Sequence, residues 1–244
     1  QMHLLIDNSN TRTKIALAKG ASISEWRAVI PTPELSPETL TSALAGVTFD
    51  KVSVCSVVPK AAEMMETYFE VPLHQISHQS ILPIKINYPR PEQIGADRLA
   101  NTVAAVSKYG APAIVIDFGT AVTFDVASAE GAYLGGAIAP GTASLRDYLH
   151  RQTALLPSIQ LTEPTNAIGK STEDAMQVGA VIGYRGLIRE ILKEIREELG
   201  GNPAIIATGG DAALIASGLN EIKTIASDLT LEGIRQIGVT NHKN

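Results

Sequence analysis

Two stretches of the chain run from an apolar strand through a short polar turn into a second alternating strand. Near the start, HLLI leads into Asp7-Asn8-Ser9-Asn10-Thr11, and alternation resumes in Lys14-Ile15-Ala16-Leu17-Ala18. Further on, AIVI leads into Asp117-Phe118-Gly119-Thr120-Ala121 and then Val122-Thr123-Phe124-Asp125-Val126. Each reads as a β-hairpin. The aspartates at 7 and 117 stand nearly half the 244-residue chain apart, which points to a duplicated domain rather than a short-period repeat. More strand and then helix follow each hairpin. KVSVCSVVP predicts a strand and AAEMMETYF a helix. PEQIGADRLANTVAAVSKYG closes the half with a helix whose Leu99, Val103 and Val106 share a face and whose stop is Gly110. In the second half EGAYLGGAIAPGTASLRDYL predicts strand, turn and helix, a long helix spans about Thr172 to Leu199, and PAIIATGGDAALIA predicts strand, glycine turn and helix. Such alternation implies an α/β protein with mixed sheets flanked by helices. The expected halves are 1–110 and 111–244, with the boundary near Tyr109 to Pro112.

Charge and cysteine content narrow the class. A net charge of -5 without a basic stripe argues against nucleic acid or an anionic membrane as the main partner. Cys55 is the only cysteine, so no intrachain disulfide or multi-cysteine metal site can form, and its apolar run VSVCSVV suits an inert buried thiol. The first residues lack the basic start and long apolar run of a signal peptide, and no apolar run reaches membrane-spanning length. The expectation is a cytoplasmic protein.

The hairpin turns carry the first candidate chemistry. An aspartate ending a strand, followed by small residues and a threonine, leaves backbone N–H groups free to face a phosphate chain while the carboxylate serves Mg²⁺. One such turn alone more often holds an Asp bonded to its own backbone. A second in the corresponding place lowers the weight of that reading. Thr208-Gly209-Gly210 after the strand Ala204-Ile205-Ile206-Ala207 would let a flat ligand such as adenosine approach the backbone, although Gly-Gly is also an ordinary turn. The order Asp-turn, Asp-turn, Gly-Gly resembles the superfamily of sugar kinases, actin and heat-shock chaperones, whose paired domains clamp ATP. Gly95-Ala96-Asp97-Arg98 opens a helix, where Asp97 is either a base for an acceptor hydroxyl or merely a cap.

In this order and spacing, INYPRPEQIGADR, VIDFGTAVTFD, GGAIAPG and IGKSTEDAMQVGAVIGYRGLI resemble the type III pantothenate kinases, from Asp7 to about Asp211. The resemblance implies two ribonuclease-H-like domains and ATP-dependent phosphorylation of pantothenate to 4′-phosphopantothenate, opening coenzyme A synthesis. It also implies a homodimer, Mg²⁺ and a monovalent cation, K⁺ or NH₄⁺. By the same likeness Asp7, Asn8, Ser9, Asn10, Thr11, Arg12, Thr13 and Lys14 form the first phosphate loop, Thr120 contacts ATP, and Gly209 and Gly210 belong to the adenosine loop. Asp97 becomes the general base, with Tyr88, Gly95, Ala96 and Arg98 around the substrate. Asp117 becomes the monovalent-cation ligand, and Thr172 a substrate contact made across the dimer. The rival readings are a kinase of another small hydroxyl or carboxylate substrate, and a non-catalytic nucleotide-binding regulator on the same fold.

Three features stand beside this pattern. Ser9 occupies the place of a family glycine; a positive φ there would cost of order 1 kcal/mol, whereas its hydroxyl could instead reach a phosphate. Gly179, Gly183 and Gly186 lie close to one face of the long helix, demanding either close packing within the chain or a subunit interface. Among His3, His74, His78, His150 and His242 only His74 and His78 have a ligand-like spacing, in a Pro- and Ser-containing segment unsuited to a helix, so the histidines read as structural.

Overall fold

The computed structural model describes residues 1–242. The chain divides into two compact units, Gln1–Lys108 with the segment from Asp228 onward, and Tyr109–Ser227. In order, the elements are β1 (Met2–Asn8), β2 (Arg12–Lys19), β3 (Ser22–Pro31), α1 (Pro37–Ala43), β4 (Lys51–Ser56), α2 (Pro59–Tyr68), β5 (Leu73–Gln75) and α3 (Ala96–Tyr109). There follow β6 (Ala113–Phe118), β7 (Ala121–Ala127), β8 (Tyr133–Pro140), α4 (Thr142–Gln152) and α5 (Thr172–Gln177). A π-helical turn, Val178–Gly183, joins α5 to α6 (Tyr184–Leu199), and β9 (Ala204–Thr208), α7 (Ala212–Ala216), β10 (Thr224–Ile225) and α8 (Leu229–Asn241) complete the chain.

The duplication expected from the hairpins extends to whole sheets. One is ordered β3-β2-β1-β4-β5 and the other β8-β7-β6-β9-β10, the same connectivity in both. Strands β1 and β6 each pair antiparallel with the next strand and parallel with a later one. Corresponding aspartates therefore occupy corresponding places: Asp7 lies opposite Lys14 and beside Cys55, Asp117 opposite Thr123 and beside Thr208. Both stand one residue before the end of a central strand, where open α/β sheets present their ligand-binding loops.

Alternation along β1 sends Leu4 and Ile6 to one face of the first sheet and Leu5 to the other. Leu4 and Ile6 join Ile15, Val52, Val54, Leu40 and Met65 beneath α1 and α2. Leu5 joins Ala16, Cys55, Ala96, Ala100 and Val103 beneath α3. In the second unit Ile114, Ile116, Val122 and Phe124 meet Tyr184, Ile188 and Leu192 of α6. Each fully buried aliphatic side chain contributes about 1.5–3 kcal/mol, enough in number to give each unit its own core.

One expectation needs correcting. Residues 111–244 do not form a single half, because α8 packs on the first unit. Its Leu231, Ile234 and Ile237 join Leu5, Ala16, Ala100 and Val103, and Gly233 lies so close to the Ala100 carbonyl that no side chain fits between. A hydrophobic face on α8 finds its complement on α3 and β1, which the order of elements along the chain conceals.

Candidate active site

The first hairpin turn is closed by Ser9. Its N–H donates to the Arg12 carbonyl at 3.0 Å, its hydroxyl donates to the same oxygen at 2.9 Å, and Arg12 N–H donates back to that hydroxyl at 3.3 Å. No non-glycine residue has a positive φ among the described residues. Ser9 therefore carries no left-handed strain, and its hydroxyl serves the turn instead of reaching outward. Asn10, Thr11 and Arg12 are exposed, whereas Asn8 and Thr13 are buried, at 1% and 0% exposure. Their side chains are turned into the protein: Asn8 Nδ2 donates to Thr13 Oγ1 at 2.8 Å and Ser56 Oγ donates to Asn8 Oδ1 at 2.6 Å. Among the expected phosphate-loop residues, these two can serve a ligand only through their backbones. Asp7 is buried with its carboxylate 3.9 Å from Lys14 Nζ, a pair set by their opposition in the ladder.

A cavity of about 560 Å³ opens in the same unit, walled by Ser56 at the end of β4 and Val57 beyond it, Glu63 of α2, Gln75 to His78, and the segment Glu92 to Ala96. Its last wall leads directly into α3 and Asp97. The Asp97 carboxylate accepts from Arg98 N–H at 2.9 Å, in the first turn of α3, where the helix dipole favours an anion. Gly95 makes room for it, since a Cβ there would stand 2.5 Å from Asp97 Oδ1. Burial pushes the Asp97 carboxyl above the usual carboxylate range, only partly opposed by the Arg98 amide and guanidinium. The capping and base readings are thus compatible: one oxygen faces the helix amide, and desolvation makes the group a better proton acceptor than a solvated aspartate. Tyr88 is half-buried in the irregular segment before Pro91.

In the second unit two glycines let three loops meet. Gly209, at φ +93°, lies against Phe118, where an added Cβ would come within 2.5 Å of the carbonyl oxygen. Gly141 presses on Gly119 and Thr120, leaving no space for a side chain. The Thr120 carbonyl accepts from Gly141 N–H at 3.1 Å and from Ser144 Oγ at 3.2 Å. Thr142 Oγ1 donates to the Asp211 carboxylate, tying the loop before α4 to the one before α7. The hydroxyl of Tyr184 donates to Pro140 O at 3.1 Å, and burial followed by the Asp211 charge raises its pKa. Asp117, Thr120, Gly209 and Gly210 are thereby gathered at one end of this sheet. Around Gly210 a Cβ would meet nothing within 4 Å, so its face is open to a flat ligand.

Thr172 is exposed in the first turn of α5, behind an N-cap in which Ser171 Oγ accepts from Asp174 N–H at 3.0 Å. The glycine face further along is open: an added Cβ on Gly179, Gly183 or Gly186 would meet nothing within 4 Å. Packing within the chain therefore does not explain these glycines. Ile182 between them is 41% exposed. Three of the histidines pack together, a feature the spacing did not show. His3, His74 and His242 stack edge to face, and Ser53 Oγ lies 2.8 Å from His3 Nε2 and 3.2 Å from His242 Nε2.

Among the described residues no three His, Cys, Asp or Glu side chains converge to hold a metal ion. One carboxylate on each turn suits Mg²⁺ carried largely by phosphate oxygens, because that ion keeps water and phosphate ligands and takes few from protein. The donor set therefore fits a nucleotide-borne cation.

Comparisons with known proteins bear on the fold and the family. The family model for type III pantothenate kinase matches residues 3–194. A type III pantothenate kinase of Akkermansia muciniphila is 54% identical over 96% of this chain and 96% of its own length. Another, from Methylacidiphilum infernorum, is 44% identical over 96% of this chain and 87% of its own. Among solved structures, a protein from Campylobacter jejuni titled as a conserved Baf family transcriptional activator superposes with a TM-score of 0.67 at 19% identity, covering 99% of this chain and 100% of that one. An inorganic polyphosphate/ATP-glucomannokinase from Arthrobacter gives 0.51 at 15% identity, covering 98% of this chain and 99% of that one. At such identities the two structures speak for the fold alone, which is the sugar kinase and actin fold with mixed sheets flanked by helices. Sequence relatives and family model together settle the membership: the chain belongs to the type III pantothenate kinase family.

Proposed function

We propose that the chain transfers the γ-phosphoryl group of ATP to the primary hydroxyl of pantothenate, giving ADP and 4′-phosphopantothenate at the entry to coenzyme A synthesis. The observation that carries this reading is Asp97 itself: a desolvated carboxylate in a notch made by Gly95, next in the chain to the Gly95–Ala96 wall of a cavity large enough for a small acceptor. As the hydroxyl oxygen attacks the γ-phosphorus, its proton passes to Asp97 and the bond to the β–γ bridging oxygen breaks, leaving ADP. Arg98, Tyr88, Gly95 and Ala96 orient the acceptor. The Asn10 amide at the tip of the first turn, with Lys14, holds phosphate in the first unit; Thr120 and the Gly209-Gly210 backbone hold nucleotide in the second. Bound Mg²⁺ supplies charge neutralisation on the phosphates, and Asp7 is the carboxylate that would hold it. Asp117 would hold K⁺ or NH₄⁺.

The open glycine face supports a homodimer in which Thr172 of the partner subunit reaches the acceptor. Glycines cost up to about 1 kcal/mol each inside a helix, and here nothing within the chain offsets that cost. No helix among the described residues is long and apolar enough to cross a membrane, and the reading places the enzyme in the cytoplasm with its substrates.

A coupled assay of ADP release tests the reaction. ADP formation should require pantothenate, and it should rise strongly when K⁺ or NH₄⁺ replaces Na⁺ at constant ionic strength, a control that removes simple screening. Pantothenate-independent hydrolysis, or none at all, would overturn the assignment; equal rates in the three salts would overturn the cation site.

A further inference from the structure

A chain of side chains behind the first phosphate turn has no role in the reaction above. Val58 N–H donates to Ser56 Oγ at 3.1 Å, Ser56 Oγ to Asn8 Oδ1 at 2.6 Å, and Asn8 Nδ2 to Thr13 Oγ1 at 2.8 Å. Thr13 Oγ1 lies 3.1 Å from Thr32 Oγ1, and Thr32 Oγ1 donates to the Ser9 carbonyl at 2.7 Å. Ser56 Oγ also lies 3.1 Å from the Val58 carbonyl, but the shorter contact to Asn8 takes its proton, and the remaining directions follow. A hydroxyl has one hydrogen, and Thr32 uses its own on Ser9, so Thr13 must donate to Thr32. Thr13 then accepts from Asn8, which fixes the amide with its oxygen toward Ser56. A flipped amide would take the Thr13 proton and leave the Thr13–Thr32 contact without one. The relay therefore runs one way, from the start of α2 to the phosphate turn, and aligned chains of this kind polarise one another.

Thr32 also grips the turn a second time, because its N–H donates to the Thr11 carbonyl at 3.0 Å. Both Ser9 and Thr11 thus have their carbonyls drawn toward Thr32. In a trans peptide the N–H points opposite to the C=O, so drawing the Ser9 carbonyl inward turns the Asn10 N–H outward. Outward-facing amides in a turn are what bind phosphate.

We propose that Thr32 is a positioning residue for the nucleotide, with Ser56 and the buried Asn8–Thr13 pair as its support: the relay holds the Asn10 amide in its phosphate-binding orientation. Deepening the kinase reading, it rests on that reading only for what the amide binds. Ser56 also lines the 560 Å³ cavity, so the relay begins at the cavity wall.

Calorimetric titration with ADP and Mg²⁺ needs no acceptor and so tests the relay apart from phosphoryl transfer. Thr32→Val keeps the shape and the backbone N–H while removing the hydroxyl, and should weaken ADP binding about tenfold. Thr32→Ser should restore it to within about twofold, which a packing defect would not allow. Ser56→Ala should weaken binding in the same direction, and the double variant should be no weaker than Thr32→Val alone, since a chain broken once is already broken. Amide hydrogen exchange on the ligand-free protein should show Arg12 exchanging faster in Thr32→Val, with the amides of β4 unchanged. Wild-type ADP affinity in Thr32→Val, additive losses in the double variant, or unaltered Arg12 exchange would each overturn the proposal. A wild-type protein that binds ADP but phosphorylates no pantothenate would sink the acceptor assignment and leave the relay standing.

Discussion

Replacing Gly95 by alanine tests the site without touching any reacting group. The new methyl carbon would stand 2.5 Å from Asp97 Oδ1, where ordinary contact begins near 3.4 Å, so the carboxylate must retreat by about 0.9 Å. Gly95 has no positive φ, so alanine meets no backbone strain. The helix start changes little: an alanine in place of glycine before the first turn costs at most about 1 kcal/mol. Misplacing a catalytic group by about 1 Å costs roughly 10²-fold in rate, equivalent to about 2.7 kcal/mol on the barrier. Gly95→Ala should therefore lose about two orders of magnitude in turnover while binding ADP normally and melting within a few degrees of wild type. Steady-state ADP release, calorimetry and thermal melting measure the three quantities. In the double variant with Asp97→Asn the loss should not exceed that of Asp97→Asn alone, because no carboxylate remains to displace. Near-normal turnover in Gly95→Ala would mean that the position of the Asp97 carboxylate is immaterial, and the general-base role would fall.

Asp97→Asn itself should lower turnover by roughly 10²–10⁴. Because burial raises the native carboxyl pKa, the folded state binds the extra proton between the ordinary carboxylate range and that raised value, and stability declines as pH rises through this window. Asp97→Asn should thus melt higher than wild type at pH 7.5, and a lower melting temperature there would contradict the desolvation account. His3 acts in the opposite sense. Burial, with the nearby Lys51, His242 and Arg235 charges, lowers its pKa from 6.5 to about 3, so the unfolded chain takes the proton first and stability falls as pH drops below about 6.5. Between pH 7 and 4.5 that loss amounts to about 2.5 kcal/mol; His74 and His242, also lowered by burial, add in the same direction, so urea titrations should show a loss larger by about that amount in wild type than in His3→Gln, and parallel pH profiles would refute it. Ile182→Glu should give a monomer by analytical ultracentrifugation with loss of pantothenate phosphorylation, and a fully active monomer would remove the dimer from the mechanism.

The two aspartate turns were legible because each sits where strand alternation breaks, and the break repeats. Asp97 was legible through the IGADR motif and its place at a helix start. What the sequence concealed has a common physical form. The Asn8–Thr13 pair looks like any polar turn flank, and only the ladder register, with Asn8 opposite Thr13, reveals that both point inward. Thr32 and Ser56 lie far along the chain from the turn they support, and isolated hydroxyl residues have no periodicity to mark them. The place of a family glycine at Ser9 suggests a positive φ, but the serine hydroxyl makes the turn closure that renders such a φ unnecessary. The glycines of the π-helical turn announced a close approach without saying to what. The open space around them excludes the chain's own side chains.

The return of α8 to the first unit has a consequence for the order in which the molecule can be made. The second unit is one uninterrupted stretch, Tyr109–Ser227, whereas the first lacks a helix until α8 has been synthesised. Translation usually lets the leading domain fold first. Here the leading sheet emerges early with the face beneath α3 incompletely covered, since Leu231, Ile234 and Ile237 have yet to appear. The second unit can close its core from its own continuous stretch, whereas the first cannot do so without α8. A released chain ending at Ser227 should accordingly protect the later half from protease and leave the earlier half open to cleavage. Until α8 joins it, the first hairpin turn sits on an unfinished sheet.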